Sequence, residues 1–405
     1  MLPESATPAR TDPGRRRPRA RRAVPLLAAA LLATACGTTG GANGGSAAPT
    51  APAGDPLDLT GVCPARVVFQ SDWYPEMEYA AYYGLLGGKY TVDRTRKRVV
   101  GDLVASGRDT GVDLEIREGG PALGFQSVTA RMYQDRGITL GQATLDESIQ
   151  NSAAQPTLQV VAPMEYIPVA IAWDRRKHPD WSVIADIGQT DTRVLYFQTD
   201  AYMQYLLGTG LLRARQVDGG FDGSPSRFVA SRGTIAQQIF ATQQPYVYKN
   251  ELAGGQSFDL AWQLISDTGY PLYGQGVVVR AGDRERLAPC LRKLVPIIQR
   301  SAVDTLVKPD RVSALVVDIV RQYRDAWTYS PGLAAFTVKQ MRDLGLVANG
   351  KDRTLGNFED ARVKRLIDIS IPIYAAQKKP LKPGLQPADL VTNDFIDPAI
   401  GLPTR

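Results

Sequence analysis

Histidine is almost missing from this chain: His178 is the only one among 405 residues. Set between Lys177 and Pro179 in a polar stretch, it reads as a loop residue. Neither a histidine-based zinc site nor a Ser-His-Asp triad has the residues it needs. No glycine-rich phosphate loop follows a strand-like segment; Gly219-Gly220 and Gly223 fit a turn. No carboxylate pair stands at a spacing diagnostic of glycoside hydrolysis. The sequence therefore predicts no catalytic residues, no metal and no cofactor. Long apolar runs are missing too, because the stretch from Ala23 to Leu32 falls short of the roughly 20 residues that cross a bilayer as a helix.

The surroundings of that short run give it a meaning. Seven arginines (Arg10, Arg15, Arg16, Arg17, Arg19, Arg21 and Arg22) lie ahead of it, and Ala33-Thr34-Ala35-Cys36 closes it. A basic region, an apolar region and a small-residue site in that order predict a signal peptide over residues 1–35. Cys36 stands where a bacterial lipoprotein would be cut and acylated, although Ala33 occupies a position where such sites more often carry Leu. A plain secretory peptide cut elsewhere is the alternative. The arginine pairs admit the general or the twin-arginine export route. Residues 36–60, nearly all Gly, Ala, Thr, Ser, Asn and Pro as far as Pro56, are expected to form a flexible tether. The expectation is an extracytoplasmic protein held at the cell membrane by several acyl chains.

The leader also carries the charge. The whole chain is +6, and seven arginines against Glu4 and Asp12 contribute 7 − 2 = +5, so the mature chain is near +1. The basicity is a targeting signal, and no nucleic-acid partner is expected. The remaining 405 − 35 = 370 residues suffice for one large or two medium domains. With Cys36 assigned to the anchor, Cys63 and Cys290 remain in an oxidising compartment. A disulfide between them, 290 − 63 = 227 positions apart, is the expectation; two unrelated buried thiols are the alternative.

Along the first third, β-rich runs alternate with amphipathic ones. Arg66–Gln70, Val112–Arg117 and Ile138–Gln142 read as strands, while Tyr74–Leu86, Phe125–Gln134 and Leu145–Ala154 read as helical. Such alternation predicts parallel β-α units in a doubly wound α/β sheet, whose ligands sit at the carboxyl ends of the strands. At those ends stand Asp72-Trp73-Tyr74-Pro75-Glu76, Glu118-Gly119-Gly120-Pro121 and Ala143-Thr144.

These strand ends, followed by Thr242-Gln243-Gln244-Pro245-Tyr246, Tyr270-Pro271-Leu272-Tyr273-Gly274 and Thr392-Asn393-Asp394-Phe395-Ile396, resemble the substrate-binding proteins of ABC importers. The resemblance is to the class that includes aminopyrimidine, riboflavin, aliphatic sulfonate and nitrate binders. It runs from about Val67 to Ile396, interrupted by a basic insert at residues 91–111. It implies a periplasmic-binding-protein type II fold: two doubly wound lobes joined by two hinge crossings, a ligand in the cleft, and a helical C-terminal region. Thr157–Ala172, broken by Pro163 and Pro168, suits the first crossing, and Tyr273–Arg280 the return. Between them, Arg193–Phe197 reads as a strand, Thr199-Asp200 as the cap of a helix beginning near Ala201, and Phe228–Phe240 as a strand-helix region. Residues 61–162 would begin lobe 1, 163–275 would form lobe 2, and 276–405 would complete lobe 1 with helices from Arg284 onward.

The resemblance further implies a monomer, not an enzyme, that passes a small molecule to ABC permease subunits. The iron-binding His and cysteine cluster of a synthase in the same superfamily has no counterpart here, whereas an interaction module without a ligand is a further alternative. Expected ligand-binding residues are Asp72, Trp73, Tyr74, Glu76, Gly119, Gly120 and Thr144 in lobe 1. The hinge and lobe 2 would add Tyr166, Thr199, Asp200, Tyr246 and Tyr273. Trp73 and Tyr74 offer faces for a planar ring, or core packing. Asp72 and Glu76 would repel an anion and accept from an exocyclic amine or ring N–H, which favours an aminopyrimidine-like heterocycle over sulfonate or nitrate. Helix capping by Asp72 and solvent exposure of Glu76 are the plainer readings. Gly119-Gly120 suit either an oxyanion or ligand carbonyl, or a tight turn. Tyr79, Tyr82 and Tyr83 fall at helical spacing and are expected in packing. The run Arg94-Thr95-Arg96-Lys97-Arg98 reads as a solvated loop or hairpin, or as a contact to anionic lipid or the transporter.

Overall fold

The structure is a computed structural model that describes residues 47–274 and 276–403; the expected signal peptide, Cys36 and the start of the tether lie outside the described residues. β1 (Arg66–Gln70) buries Val67, Val68, Phe69 and Gln70, so both its faces are covered, as in the centre of a parallel sheet. It is followed by β2 (Leu86–Asp93), β3 (Arg98–Ala105), β4 (Arg108–Arg117), β5 (Leu140–Ala143) and β6 (Thr157–Val161). The chain then crosses to a second sheet of β7 (Val169–Asp174), β8 (Val194–Leu195), β9 (Val217–Asp218), β10 (Ala236–Phe240) and β11 (Leu260–Leu264). It returns to the first sheet as β12 (Gly276–Arg280).

Hydrogen bonding orders the sheets β2-β3-β4-β1-β5-β12-β6 and β11-β7-β10-β8-β9. Without the β2-β3 hairpin, both follow one plan. β1 lies between parallel β4 and β5, and the returning β12 runs antiparallel to β5 and β6. β8 lies between parallel β9 and β10, and the incoming β7 runs antiparallel to β10 and β11. Each sheet thus holds, between two partners, a strand that has just crossed from the other lobe. The two crossings are anchored in hydrogen-bonded strands at both ends, and the architecture is the expected two-lobed α/β arrangement.

Helices cover the sheets: α1 (Ala80–Tyr83), α2 (Val128–Gln134) and α3 (Leu145–Gln150), then α4 (Ile184–Gly188), α5 (Tyr202–Gly208), α6 (Ser226–Ala230) and α7 (Gln244–Asn250). The helical C-terminal region comprises α8 (Arg284–Val307), α9 (Asp310–Tyr323), α10 (Pro331–Asp343) and α11 (Asp360–Ala376). α8 packs on α1 and β6 as the sequence suggests, but the region does not belong to lobe 1 alone. α11 buries Val363, Leu366, Ile367, Ser370 and Tyr374, a stripe at helical spacing. That stripe shares one core with Leu145 and Ile149 of α3 and with Met203 and Leu206 of α5, so it serves both lobes. At its start, Arg362 donates to the carbonyls of Glu165, Pro271 and Leu272 and pairs with the Glu165 carboxylate. One guanidinium therefore grips both crossings.

Two sequence expectations need correction. Tyr74–Leu86 is not a continuous helix: a 3-10 turn at Met77–Tyr79 leads into the single turn α1, and Leu86 already belongs to β2. Of the readings given to the basic run 94–98, the hairpin is the one found: residues 91–111 form the body of the β2-β3-β4 meander with that run at the turn, where Arg96 pairs with Asp93 and Lys97 with Asp325. Residues 36–60 do not form a flexible tether throughout. Ala51 and Leu59 donate backbone N–H groups to Asp109 and Thr110 at 2.8 and 3.0 Å, and the Leu59 side chain is fully buried. The strand extension created by the insert supplies these partners, which local composition does not reveal.

Cys63 and Cys290 form the expected disulfide, fastening this entry segment to α8. In the chain-entropy model a closure of 227 residues stabilises by about 5 kcal/mol. Replacing both, Cys63→Ser with Cys290→Ser, is expected to lower the guanidinium unfolding midpoint clearly. An unchanged midpoint would contradict a structural role for the bridge.

Candidate functional site

The carboxyl ends of strands from both lobes meet at a seam. Beyond β1 the chain supplies Trp73, Glu76 and Glu78; beyond β8 it supplies Phe197, and beyond β10, Thr242 and Gln243. The Trp73 indole stands edge-on to Phe197 with ring centres 6.1 Å apart. Gln243 donates to Glu76 at 2.8 Å and to Glu78 at 3.0 Å, and the Thr242 hydroxyl donates to Glu78. An aromatic pair and a carboxylate-amide cluster thus close the lobes on one another.

Two glycines let Trp73 lie where it does. The Gly119 N–H donates to the Trp73 carbonyl at 3.0 Å, and a Cβ at Gly119 would fall 2.3 Å from the Ser71 carbonyl oxygen. Gly120 has φ +54°, and a Cβ there would meet the indole at 2.5 Å. Close approach therefore accounts for the pair, and the engaged Gly119 N–H is not available to an oxyanion. Tyr74 instead stacks on Trp327, with ring centres 4.8 Å apart and planes 2° from parallel.

Around this contact lies a set of carboxyls held by neutral donors. Glu76 and Glu78 are 1% and 5% exposed. Asp146, also buried, accepts from the Tyr270 hydroxyl at 3.0 Å, and Glu147 from the Thr129 N–H at 3.0 Å. In lobe 2, Asp200 accepts from Gln238 at 2.6 Å. Asp72 is engaged by the Tyr79 hydroxyl, and Tyr82 donates to Gln142 beside it. Among the described residues, no Lys or Arg forms a salt bridge with Glu76, Glu78, Asp146, Glu147 or Asp200.

Burial without a cation raises these groups. It pushes Glu147 up to about 7 and, with the charge of Asp146 adding, Asp200 also to about 7. Burial, then the neighbouring Glu78, carries Glu76 well above the ordinary carboxylate range. Glu78 and Asp146 are raised by burial as well. At the end of β4, Glu118 is 2% exposed, and burial followed by the charge of Asp325 pushes it up to about 7.

The expected residues separate into groups. Asp72, Trp73, Glu76 and Asp200 lie at or beside the seam, and Gly119-Gly120 position Trp73. Glu76 is buried, not solvent-exposed, and the residue preceding the first 3-10 turn is Glu76 itself, so Asp72 caps no helix. Thr144 caps α3, accepting from the Glu147 N–H at 3.4 Å. Thr199 is exposed, and neither it nor Asp200 caps α5, whose first flanking residue, Ala201, has no side-chain cap, because Gln238 holds the Asp200 carboxylate. Tyr166, Tyr246 and Tyr273 are not brought to the seam. Tyr273 is buried with its hydroxyl accepting from the Glu359 N–H, and its ring centre lies 3.7 Å from the Arg362 guanidinium. Tyr166 lies 4.5 Å from the same guanidinium, while Tyr246 packs on Phe336 of α10. The sequence reading missed Glu78, Asp146, Glu147, Phe197, Gln238, Thr242 and Gln243. Thr242-Gln243 stands inside a motif that carried the resemblance, which was a usable signal; nothing local distinguishes the acidic residues from surface ones.

No protein-family model and no curated protein matches the sequence. Solved structures do match its fold. The periplasmic aliphatic sulphonate binding protein SsuA from Escherichia coli aligns with a TM-score of 0.51 at 13% identity, covering 85% of this chain and 94% of that one. The alkanesulfonate-binding protein SsuA from Xanthomonas axonopodis pv. citri, bound to MOPS, gives 0.50 at 14% identity, covering 81% and 98%. The chain has the periplasmic-binding-protein fold, with a helical C-terminal region.

The raised carboxyls set the sign of a pH dependence. A carboxyl whose folded-state pKa is raised contributes stability below its unfolded pKa, and that contribution is lost as pH rises through the folded value. For Glu118, Glu147 and Asp200 the window runs from the ordinary 4.5 or 3.8 up to about 7. The ligand-free protein is expected to melt at a higher temperature near the bottom of that window than above it, and Glu118→Gln should reduce the fall. A melting temperature that climbs steadily across the window would contradict the assignment.

Proposed function

We propose that this protein is the solute-binding component of an ABC importer, exported and tethered to the cell membrane at Cys36. It captures a small planar nitrogen heterocycle of the aminopyrimidine kind between its lobes and delivers it to the permease. The observation that carries this reading is the charge of the seam: carboxyls from both lobes gather there, held only by neutral donors. An exocyclic amine and a ring N–H would donate to Asp72, Glu76 and Glu78 on one side and to Asp200 on the other. Opening the lobes parts Trp73 from Phe197, and an inserted ring would replace their edge contact with stacking on both. A ligand that bridges the two lobes stabilises the closed arrangement over the open one, which is the requirement for signalling occupancy.

Sulfonate binding is a second reading, drawn from the names of the two matched proteins. It is less favoured because sulfonate oxygens only accept hydrogen bonds and, once the seam carboxyls ionise, would face their charge with no salt-bridging cation among the described residues to offset it. A thermal-shift screen separates the two, using aminopyrimidines, thiamine, flavins, alkanesulfonates and nitrate. Ligand at about 100 times its dissociation constant stabilises by about 2.7 kcal/mol. The expected result is a rise with an aminopyrimidine that disappears in Asp72→Ala and Trp73→Ala. A rise only with sulfonate or nitrate would overturn the heterocycle reading while keeping solute binding; no rise with any compound would overturn both.

A further inference from the structure

Away from the seam, a groove of about 1350 Å³ runs along lobe 1 between α8, α9, the start of β2 and the entry segment. Its deepest lining, Leu85, Ile297 and Val312, belongs to the buried core, Pro296 lies above it, and Val307 stands 52% exposed at the groove. An exposed valine at the mouth of an apolar-lined groove suits contact with another apolar phase.

Its rim carries five cations, Arg292, Lys293, Arg300, Lys308 and Arg311, against the carboxylates Asp304, Asp318 and Asp397. Several of these are already engaged. Lys293 donates to the carbonyls of Asp55 and Asp58, Arg311 to those of Gly84 and Leu86, and Arg292 lies over Phe395. Asp318 is held by Tyr90 and Arg321. Arg300 and Lys308 are exposed and form no salt bridge among the described residues; they flank Asp304 one helical turn away on either side. The α8 edge of the groove is thus net positive and open.

The course of the chain says which phase this face meets. Ala48, Pro56 and Leu57 line the groove, so the described chain begins at its edge. Only 47 − 36 = 11 positions separate Ala47 from Cys36, a reach of at most about 40 Å even when fully extended. An acylated Cys36 would therefore keep this groove within that distance of the bilayer.

We propose that the groove binds an anionic phospholipid of the tethering membrane, with an acyl chain along the apolar lining and the headgroup phosphate at Arg300 and Lys308. Lobe 1 then rests on the bilayer surface by this face. The proposal takes from the proposed function only the tether at Cys36, and the identity of the solute does not enter it.

All the strands, helices and core clusters described lie between residues 51 and 400, so residues 47–405 serve as a soluble, unacylated form for the test. Flotation with phosphatidylglycerol-containing vesicles is compared with flotation on pure phosphatidylcholine. The expected result is binding to the anionic vesicles at low salt that is lost at high salt, and weakened on the order of tenfold by Arg300→Glu with Lys308→Glu. That variant should keep the melting temperature and solute response of the parent. Equal partition onto both vesicle types, salt-independent binding, or no binding would overturn the proposal, as would binding that requires reconstituted permease. Should the double variant fail to fold, the lipid and salt comparison on the unmodified sequence still decides. Solute binding is read separately, so failure here leaves the reading of the seam standing.

Discussion

Carboxyls buried without cations are the constraint around which the rest of this structure is arranged. Bringing an ionised carboxylate out of water is costly unless it is paired, and here the partners are hydroxyls, amides and backbone N–H groups. Glu76 and Glu78 can occupy the seam because Thr242 and Gln243 arrive from the other lobe, and Asp146 because Tyr270 reaches it from the return crossing. The closed arrangement is then favoured when these groups are neutral, or when something else supplies N–H donors to their ionised forms. Under the proposed function, conformation, protonation and ligand chemistry are linked through one set of side chains.

The two crossings are tied firmly to both lobes. β7 and β12 sit inside the sheets they enter, so each crossing is held at both ends, and Arg362 ties the two crossings together on the side of α11. α11 is buried against α3 and α5 in one core, so it follows neither lobe exclusively. On the other side, the lobes meet through the Trp73–Phe197 and Glu76–Gln243 contacts, backed by a buried core that joins Val67 and Phe69 of one sheet to Ala172 and Ile239 of the other. The disulfide fastens the entry segment to α8 within lobe 1.

Much of the fold could be read from the sequence because it rests on local periodicity. β1, β4, β5 and the Thr144 cap of α3 follow from alternating apolar runs and a Thr placed three residues before Glu147. The site was legible only where a strand end coincided with an unusual residue, as at Asp72-Trp73. Glu78, Asp146 and Glu147 were not, since an acidic residue in a short helix looks the same whether it faces water or a Tyr hydroxyl more than a hundred positions away, as Asp146 faces Tyr270. Tyr166 and Tyr273 misled for a related reason: both lie on the crossings, but Arg362, from a distant helix, takes their rings for the hinge. The packing of residues 50–59 escaped notice because backbone pairing to the edge of β4 leaves no mark on composition.

Small-angle X-ray scattering of the ligand-free protein across pH 5 to 8 tests the central claim most directly, with Glu76→Gln and Glu78→Gln combined as the control. A compact particle is expected at the acid end, expanding as the seam carboxyls ionise and the lobes part, with the expansion much reduced in the control. A radius of gyration that stays constant over that range, or an expansion the control fully retains, would contradict the claim that the buried carboxyls govern how the two lobes meet.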